Sequence, residues 1–199
     1  MEIDVYALTH EIKNPLSIAK GYLEMSNQTN FTKYKELINS NINEALNILD
    51  SYLEYNKMVL KNEVMDVILL LEEVKNNYVE LYDINININC LYEELFIDAD
   101  YYKLKQVLNN LIKNSIEANS KNVDIFVKKH EEKVSIKIVD DGDGFNNIQN
   151  LKGYTNKING NGIGLLITDK ILNLHDGNIE YSNNDGVGCN ILIKLPVKL

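Results

Sequence analysis

The sequence predicts an α+β protein in two parts: an N-terminal antiparallel helical hairpin over residues 1–61, then an α/β sandwich with a mostly antiparallel sheet over residues 62–199. Three observations predict it. Apolar residues recur at alternating three- and four-residue steps through the first part, the spacing that lines one helix face. After about Asn62 that period gives way to short runs alternating apolar with polar, as in half-buried strands. Asp140 to Gly164 is rich in Gly, Asn and Asp and reads as loop.

In the hairpin, Val5, Leu8, Ile12, Pro15, Ala19 and Tyr22 make the first stripe, and Ile38, Ile42, Ala45, Leu49, Tyr52 and Val59 the second. Ser26 to Thr32 is polar and turn-like between them. A lone hairpin buries too little apolar surface to be stable, so two chains are expected to pair as a homodimeric four-helix bundle. In the second part Val67 to Leu81 reads as helix. Ile84, Ile86 and Ile88 alternate with Asn as a strand, and Phe96 to Ala99 is a short strand. Asp100 stands where it can cap a helix reaching to about Asn119. Val123 to Val127 and Val134 to Val139 follow as strands. Ile163 to Leu174 is helical, and Ile179 to Tyr181 and Asn190 to Leu195 close the sheet.

Composition narrows the function classes. The chain has 199 residues, 45% hydrophobic and 25% charged, with no Arg and a net charge of −9. That balance argues against a general nucleic-acid binder, which needs a basic face. Cys90 and Cys189 stand far apart without ligand-like spacing, so neither a disulfide framework nor a zinc site is expected. No apolar run reaches the roughly 18–20 residues that span a bilayer. The acidic N-terminus does not read as a signal peptide, so a cytoplasmic location is expected. A sensor for an outside signal would lie on another chain or beyond this one.

Four clusters carry chemistry. His10 lies in THEIKNPLS, beside Glu11 and ahead of Asn14 and Pro15. A neutral imidazole can accept a phosphoryl group, and an adjacent carboxylate can take the ring proton. Pro15 is expected to kink the helix just past the histidine. In QVLNNLIKNSIEA, Asn110 and Asn114 are one helical turn apart and can offer amide oxygens to Mg²⁺, while Lys113 can reach a phosphate. In VDDGDGF, Asp140 can accept a hydrogen bond from an exocyclic amine, and Gly142 and Gly144 let the backbone approach a flat ring. In GNGIGLLIT, Gly160, Gly162 and Gly164 open a helix whose N–H groups can bind phosphate. Each cluster also has a plain reading: a surface histidine, a polar helix face, a turn, a glycine-rich loop.

Their order is more specific than any one of them. HEIKNPL resembles the H box of the sensor histidine kinases, NLIKNSIEA the N box, DDGDGF and GNGIGL two glycine boxes, and DGVGCNILIKLP the last glycine box and closing strand. TNK, residues 155–157, is similar to the TTK of sporulation-type kinases. The resemblance covers nearly the whole chain. It implies a dimerisation and histidine-phosphotransfer hairpin followed by a Bergerat-type ATP-binding domain. It also implies autophosphorylation on His10 with ATP and Mg²⁺, then transfer to an Asp of a response regulator. By motif position, Glu11 is the general base and Asn14 orients water for dephosphorylating a partner. Asn114 is the Mg²⁺ ligand, with Asn110 beside it. Lys113 and Lys157 face phosphates and Asp140 binds the adenine amine. Gly142 and Gly144 shape the base pocket, and Gly160, Gly162 and Gly164 the phosphate loop. The segment from Asn146 to Asn159 is the lid.

The sequence departs from the family in places. The lid is short, with Ile148 and Leu151 standing in for a Phe-rich box. Asp143 stands where Pro is common, Cys189 where Thr is, and Lys13 for a frequent Arg; Cys189 is expected to weaken contact with nucleotide. A separate sensor or regulatory protein is expected as a partner. Three rivals remain: a phosphotransferase or adaptor of the same fold without kinase activity, a serine kinase of the anti-sigma type, and a non-catalytic dimeriser.

Overall fold

The computed structural model describes residues 5–145, 163–184 and 187–197. The chain divides into two compact units: among the described residues the first takes in those up to Met58 together with Ile163, and the second the others from Val59 on.

The first unit is two helices, α1 (Val5–Met25) and α2 (Phe31–Lys57). Asn27 and Asn30 make the turn between them. The Asn27 side chain accepts from the backbone N–H groups of Thr29 and Asn30 at 2.9 and 3.1 Å, and that of Asn30 accepts from the Asn27 N–H at 2.6 Å. These reciprocal bonds close the turn that leads into α2. Tyr22 stacks on Tyr34 near the turn, ring centroids 5.6 Å apart. α1 runs on through Pro15 as one helix, with Pro15 buried.

In the first stripe Leu8, Pro15 and Ala19 are buried, with Ile12 and Tyr22 half-buried; the side chain of Val5 lies outside the described residues. The second needs correction. Tyr34, Ile38, Asn41, Ala45, Ile48, Tyr52 and Tyr55 are covered in an alternation of four- and three-residue steps, with Ser51 and Glu54 half-buried beside them. Ile42 and Leu49 instead stand 39% exposed on a neighbouring stripe with Leu46 and Leu53, and Val59 lies beyond the helix at 78%. One hairpin thus closes its own seam and leaves a second apolar stripe uncovered, as a helix that packs on two sides does.

The second unit contains β1 (Glu63–Asp66), α3 (Val67–Val79), β2 (Asn85–Asn89), β3 (Phe96–Ala99), α4 (Tyr101–Glu117), β4 (Asn122–His130), β5 (Lys133–Asp140), α5 (Ile163–Leu174), β6 (Asn178–Asn183) and β7 (Cys189–Pro196). The main sheet has the order β2-β4-β5-β7-β6; only the β2–β4 pair is parallel. β3 does not join it. It pairs instead with β1, a strand the sequence pattern did not reveal, as a separate two-stranded sheet. Alternation drives the main sheet: Val123, Ile125 and Val127, then Val134, Ile136 and Ile138, then Ile191, Ile193 and Leu195 are buried on one face. Against that layer α3, α4 and α5 contribute buried apolar residues such as Leu71, Leu111, Ile112, Ile171 and Leu172.

Two aspartates start helices. Asp66 accepts from the N–H of Ile68 at 2.9 Å and of Leu95 at 3.0 Å. Asp100 accepts from Lys103 N–H at 3.0 Å and from Lys61 N–H at 2.8 Å, which caps α4 as its sequence position foretold. His175 joins α5 to that cap. It is 5% exposed, its Nε2 accepts from the Asp100 N–H at 2.9 Å, and its Nδ1–H donates to the Ile171 carbonyl at 2.7 Å. Both bonds together require the neutral ring with its proton on Nδ1.

Burial pushes the His175 imidazole below the ordinary histidine range, partly offset by its bond to Ile171 and by the charges of Asp100, Asp98 and Asp176. A histidine kept neutral by folding contributes stability above its unfolded pKa of about 6.5, and that contribution is lost as pH falls. Thermal melts of the intact chain are therefore expected to show stability declining from about pH 7 towards pH 5. His175→Asn should flatten that slope and cost roughly 1–3 kcal/mol at neutral pH by leaving the Asp100 N–H unpaired. An unchanged slope in the variant would assign the acid sensitivity elsewhere.

Candidate functional site

Asp140 is the last residue of β5 and is 4% exposed. A buried carboxyl must find donors, and four are supplied by three elements. Oδ1 accepts from the N–H of Gly142 and of Cys189, both at 3.1 Å. Oδ2 accepts from the Ser115 hydroxyl on α4 and the Cys189 thiol on β7, both at 2.9 Å. The group is thereby fixed in direction where the sheet ends and the glycine-rich turn begins.

That turn needs its small residues. A Cβ on Gly142 would come within 2.5 Å of Ser120 Oγ and 2.6 Å of the Ala118 carbonyl. Gly188, in the segment that resembles the last glycine box, has φ +90°, and a Cβ there would sit 1.8 Å from the Asp140 carbonyl oxygen. Only glycine fits such a position.

On α4, Asn110 and Asn114 lie one turn apart and both are half-buried. The Asn110 amide donates to the Thr168 hydroxyl on α5 at 2.9 Å, and a Cβ on Gly164 would fall 2.4 Å from Asn110 Oδ1. Gly164 is thus what lets the start of α5 approach α4, and Asn110 is bonded across that approach. Thr168, 1% exposed, was not singled out from the sequence. Lys113 points to the surface and pairs with Glu117 at 3.7 Å. An exposed pair of this kind is weak and easily exchanged for another anion. Lys157, Gly160, Gly162, and the stretch from Asn146 to Asn159 with Ile148 and Leu151 lie outside the described residues.

In the first unit His10 is exposed on α1, and the Asn14 amide nitrogen is 3.5 Å from its Nδ1. Glu11 beside it is half-buried, and its Oε2 is buried without a hydrogen-bond partner. Burial raises its carboxyl above the usual range.

Among the described residues no group of three or more His, Cys, Asp or Glu side chains could hold a metal ion. The oxygens of Asn110 and Asn114 fit a different role, as one or two hard donors to a Mg²⁺ that takes its other ligands from phosphates and water.

Residues 5–59 match the His Kinase A (phospho-acceptor) domain. Residues 99–199 match the family described as Histidine kinase-, DNA gyrase B-, and HSP90-like ATPase. Sporulation kinase B of Bacillus subtilis is 32% identical over 97% of this chain and 49% of its own length. Sporulation kinase A of the same organism is 30% identical over 96% and 34%. The chain thus spans half or less of the length of these relatives. The histidine kinase ThkA, solved in complex with the response regulator protein TrrA, superposes with a TM-score of 0.78 at 26% identity, covering 96% of this chain and 60% of that one. The Acinetobacter baumannii histidine kinase AdeS has the same fold, with a TM-score of 0.74 at 20% identity over 96% and 98% of the two chains. Because the ATPase match takes in just over half of the chain and a phospho-acceptor domain precedes it, the chain belongs to the sensor histidine kinases.

Proposed function

We propose that the chain uses ATP to phosphorylate its own His10 and then passes the phosphoryl group to an aspartate of a response regulator. The observation that carries this reading is the Asp140 carboxyl, buried and aimed by Ser115, Gly142 and Cys189 beside turns that only glycine can make. Such a carboxyl accepts a hydrogen bond from the exocyclic amine of adenine. Its four acceptor positions are filled, so an incoming amine must displace a donor. The Cys189 thiol is the donor that yields most readily, since it rotates and S–H is a weak donor. Asn114, with Asn110 beside it, would hold the Mg²⁺, which when bound offsets charge on the phosphates. Lys113, Lys157 and the glycines 142, 144, 160, 162 and 164 complete the nucleotide site in this reading.

At the acceptor, the Nε2 lone pair of His10 attacks the γ-phosphorus. The N–P bond forms as the bond to the ADP oxygen breaks, and the Nδ1 proton goes to Glu11. Asn14 can meet Nδ1 with either end of its amide. Turned so that its oxygen accepts, it keeps the proton on Nδ1 and leaves Nε2 free. Positioning and charge supply most of the rate in phosphoryl transfer. A carboxyl whose pKa is raised by burial is a better base near neutral pH.

The division proposed is residues 1–61 for dimerisation and phosphotransfer and 62–199 for ATP binding. The uncovered stripe of Ile42, Leu46, Leu49 and Leu53 supports a homodimer. Among the described residues no helix is long and apolar enough to cross a membrane. The proposed site of action is the cytoplasm, where ATP and the regulator are found. A separate sensor or regulatory protein supplies the signal in this reading, and the response regulator docks on the hairpin near His10; that ThkA was solved in complex with the response regulator protein TrrA supports a partner of this kind.

Incubated with labelled ATP and Mg²⁺, the chain is expected to acquire acid-labile, base-stable label, and His10→Gln to acquire none. Label persisting in that variant would remove His10 from the reaction. Asp140→Asn is expected to weaken ATP binding by roughly ten- to a hundredfold in calorimetry, the loss of one hydrogen bond to a charged group. Equal affinity in a folded variant would leave Asp140 without its role. Self-labelling should slow as pH falls and Glu11 takes up a proton, earlier than an ordinary glutamate would. Glu11→Gln should be about a hundredfold slower at every pH where the wild type is active; a rate equal to wild type would exclude Glu11 as the base.

A further inference from the structure

Asn183 and Asn184, side by side at the end of β6, grip both ends of the turn that follows Asp140. The Asn183 amide oxygen accepts from the Phe145 N–H at 2.8 Å, and its amide nitrogen donates to the Phe145 carbonyl at 2.8 Å. One side chain thus takes the place of a neighbouring strand's peptide. The Asn184 amide donates to the Asp140 carbonyl at 3.0 Å and to the Val187 carbonyl at 3.2 Å. Its own N–H donates to the Gly188 carbonyl at 3.0 Å.

Between the two grips lie Gly142 and Gly144. Gly144 has φ +69°, and a Cβ on it would fall 3.0 Å from the Gly188 carbonyl and 3.2 Å from Asn183 Oδ1. The Phe145 ring meets the Tyr181 ring edge-on, centroids 5.8 Å apart. The turn is therefore clamped to the β6–β7 hairpin at its first residue through Asn184 and at its last through Asn183. The clamp bonds of both side chains go to main-chain atoms.

We infer that Asn183 and Asn184 are positioning residues for nucleotide: they set the shape of the Asp140–Phe145 turn, and through it the direction of the Asp140 carboxyl. The inference rests on the reading of Asp140 as the group that recognises the base. Asn183 is exposed and Asn184 half-buried, so their contribution to the core is small. Their effect falls on a turn with two positive-φ or tightly packed glycines, in which the Phe145 ring on Tyr181 is the one ring contact among the described residues.

The test measures ATP affinity by calorimetry and melting temperature on the whole chain for five forms: wild type, Asn183→Ala, Asn183→Asp, Asn184→Ala and Asp140→Asn. Each alanine variant should bind ATP about tenfold more weakly while melting within a few degrees of wild type. Asn183→Asp, which keeps the acceptor for the Phe145 N–H, should recover part of the loss. Melting points that fall with affinity unchanged would make the pair structural only and overturn the inference. So would an aspartate variant no better than alanine. Weakening by Asp140→Asn but not by the alanine variants sinks the clamp alone. Weakening by the alanine variants but not by Asp140→Asn sinks the role of Asp140 and, with it, the inference that the pair acts through that carboxyl. Absence of ATP binding in the wild type sinks both.

Discussion

The Asp140 carboxyl organises one end of the second unit because its burial can be tolerated only if its oxygens are bonded. Ser115 comes from α4, Gly142 from the turn and Cys189 from β7, so a helix, a loop and a strand are bound to one side chain. The sheet delivers Asp140 to this place through the same alternation that buries Val134, Ile136 and Ile138. The turn can fold back over it only because Gly142 and Gly188 lack a Cβ. A carboxyl so held is fixed in direction by the fold itself.

The other end of the unit repeats the principle with a different group. His175 and Asp100 join α5 to the start of α4, and the joint works only while the imidazole is neutral. Near the other end of α5, Gly164 and the Asn110–Thr168 bond set how closely that helix approaches α4. The helix that follows the glycine-rich loop is thus tied to α4 at two points. The glycines and buried polar groups of this unit serve these ties, and the apolar residues supply the bulk of the core.

The hairpin shows how a pattern can be read correctly in kind and wrongly in register. Both stripes of α2 carry apolar residues, and Asn41 sits in the covered one while Ile42 and Leu49 sit in the other. Hydropathy alone favours Ile42 over Asn41; which of the two stripes faces α1 follows from helix packing. β1 escaped notice for a related reason: EVMD has a single buried residue, Met65, and gains its strand geometry from pairing with β3. A strand of four residues has too short a period to announce itself.

The sequence by itself determined the two-part organisation, the helices and main-sheet strands, the cap at Asp100, and the motif order that places the chain among the histidine kinases. Those features are local: periodicity, capping and glycine spacing are written within a few residues. Tertiary structure alone decided which stripe of α2 is covered, that Cys189 and Ser115 share Asp140 as acceptor, that His175 is a neutral link, and that Asn183 and Asn184 hold a turn about forty residues away. Each of these pairs groups far apart in the chain, and a hydrogen bond between distant residues leaves no period in the sequence from which it could be read.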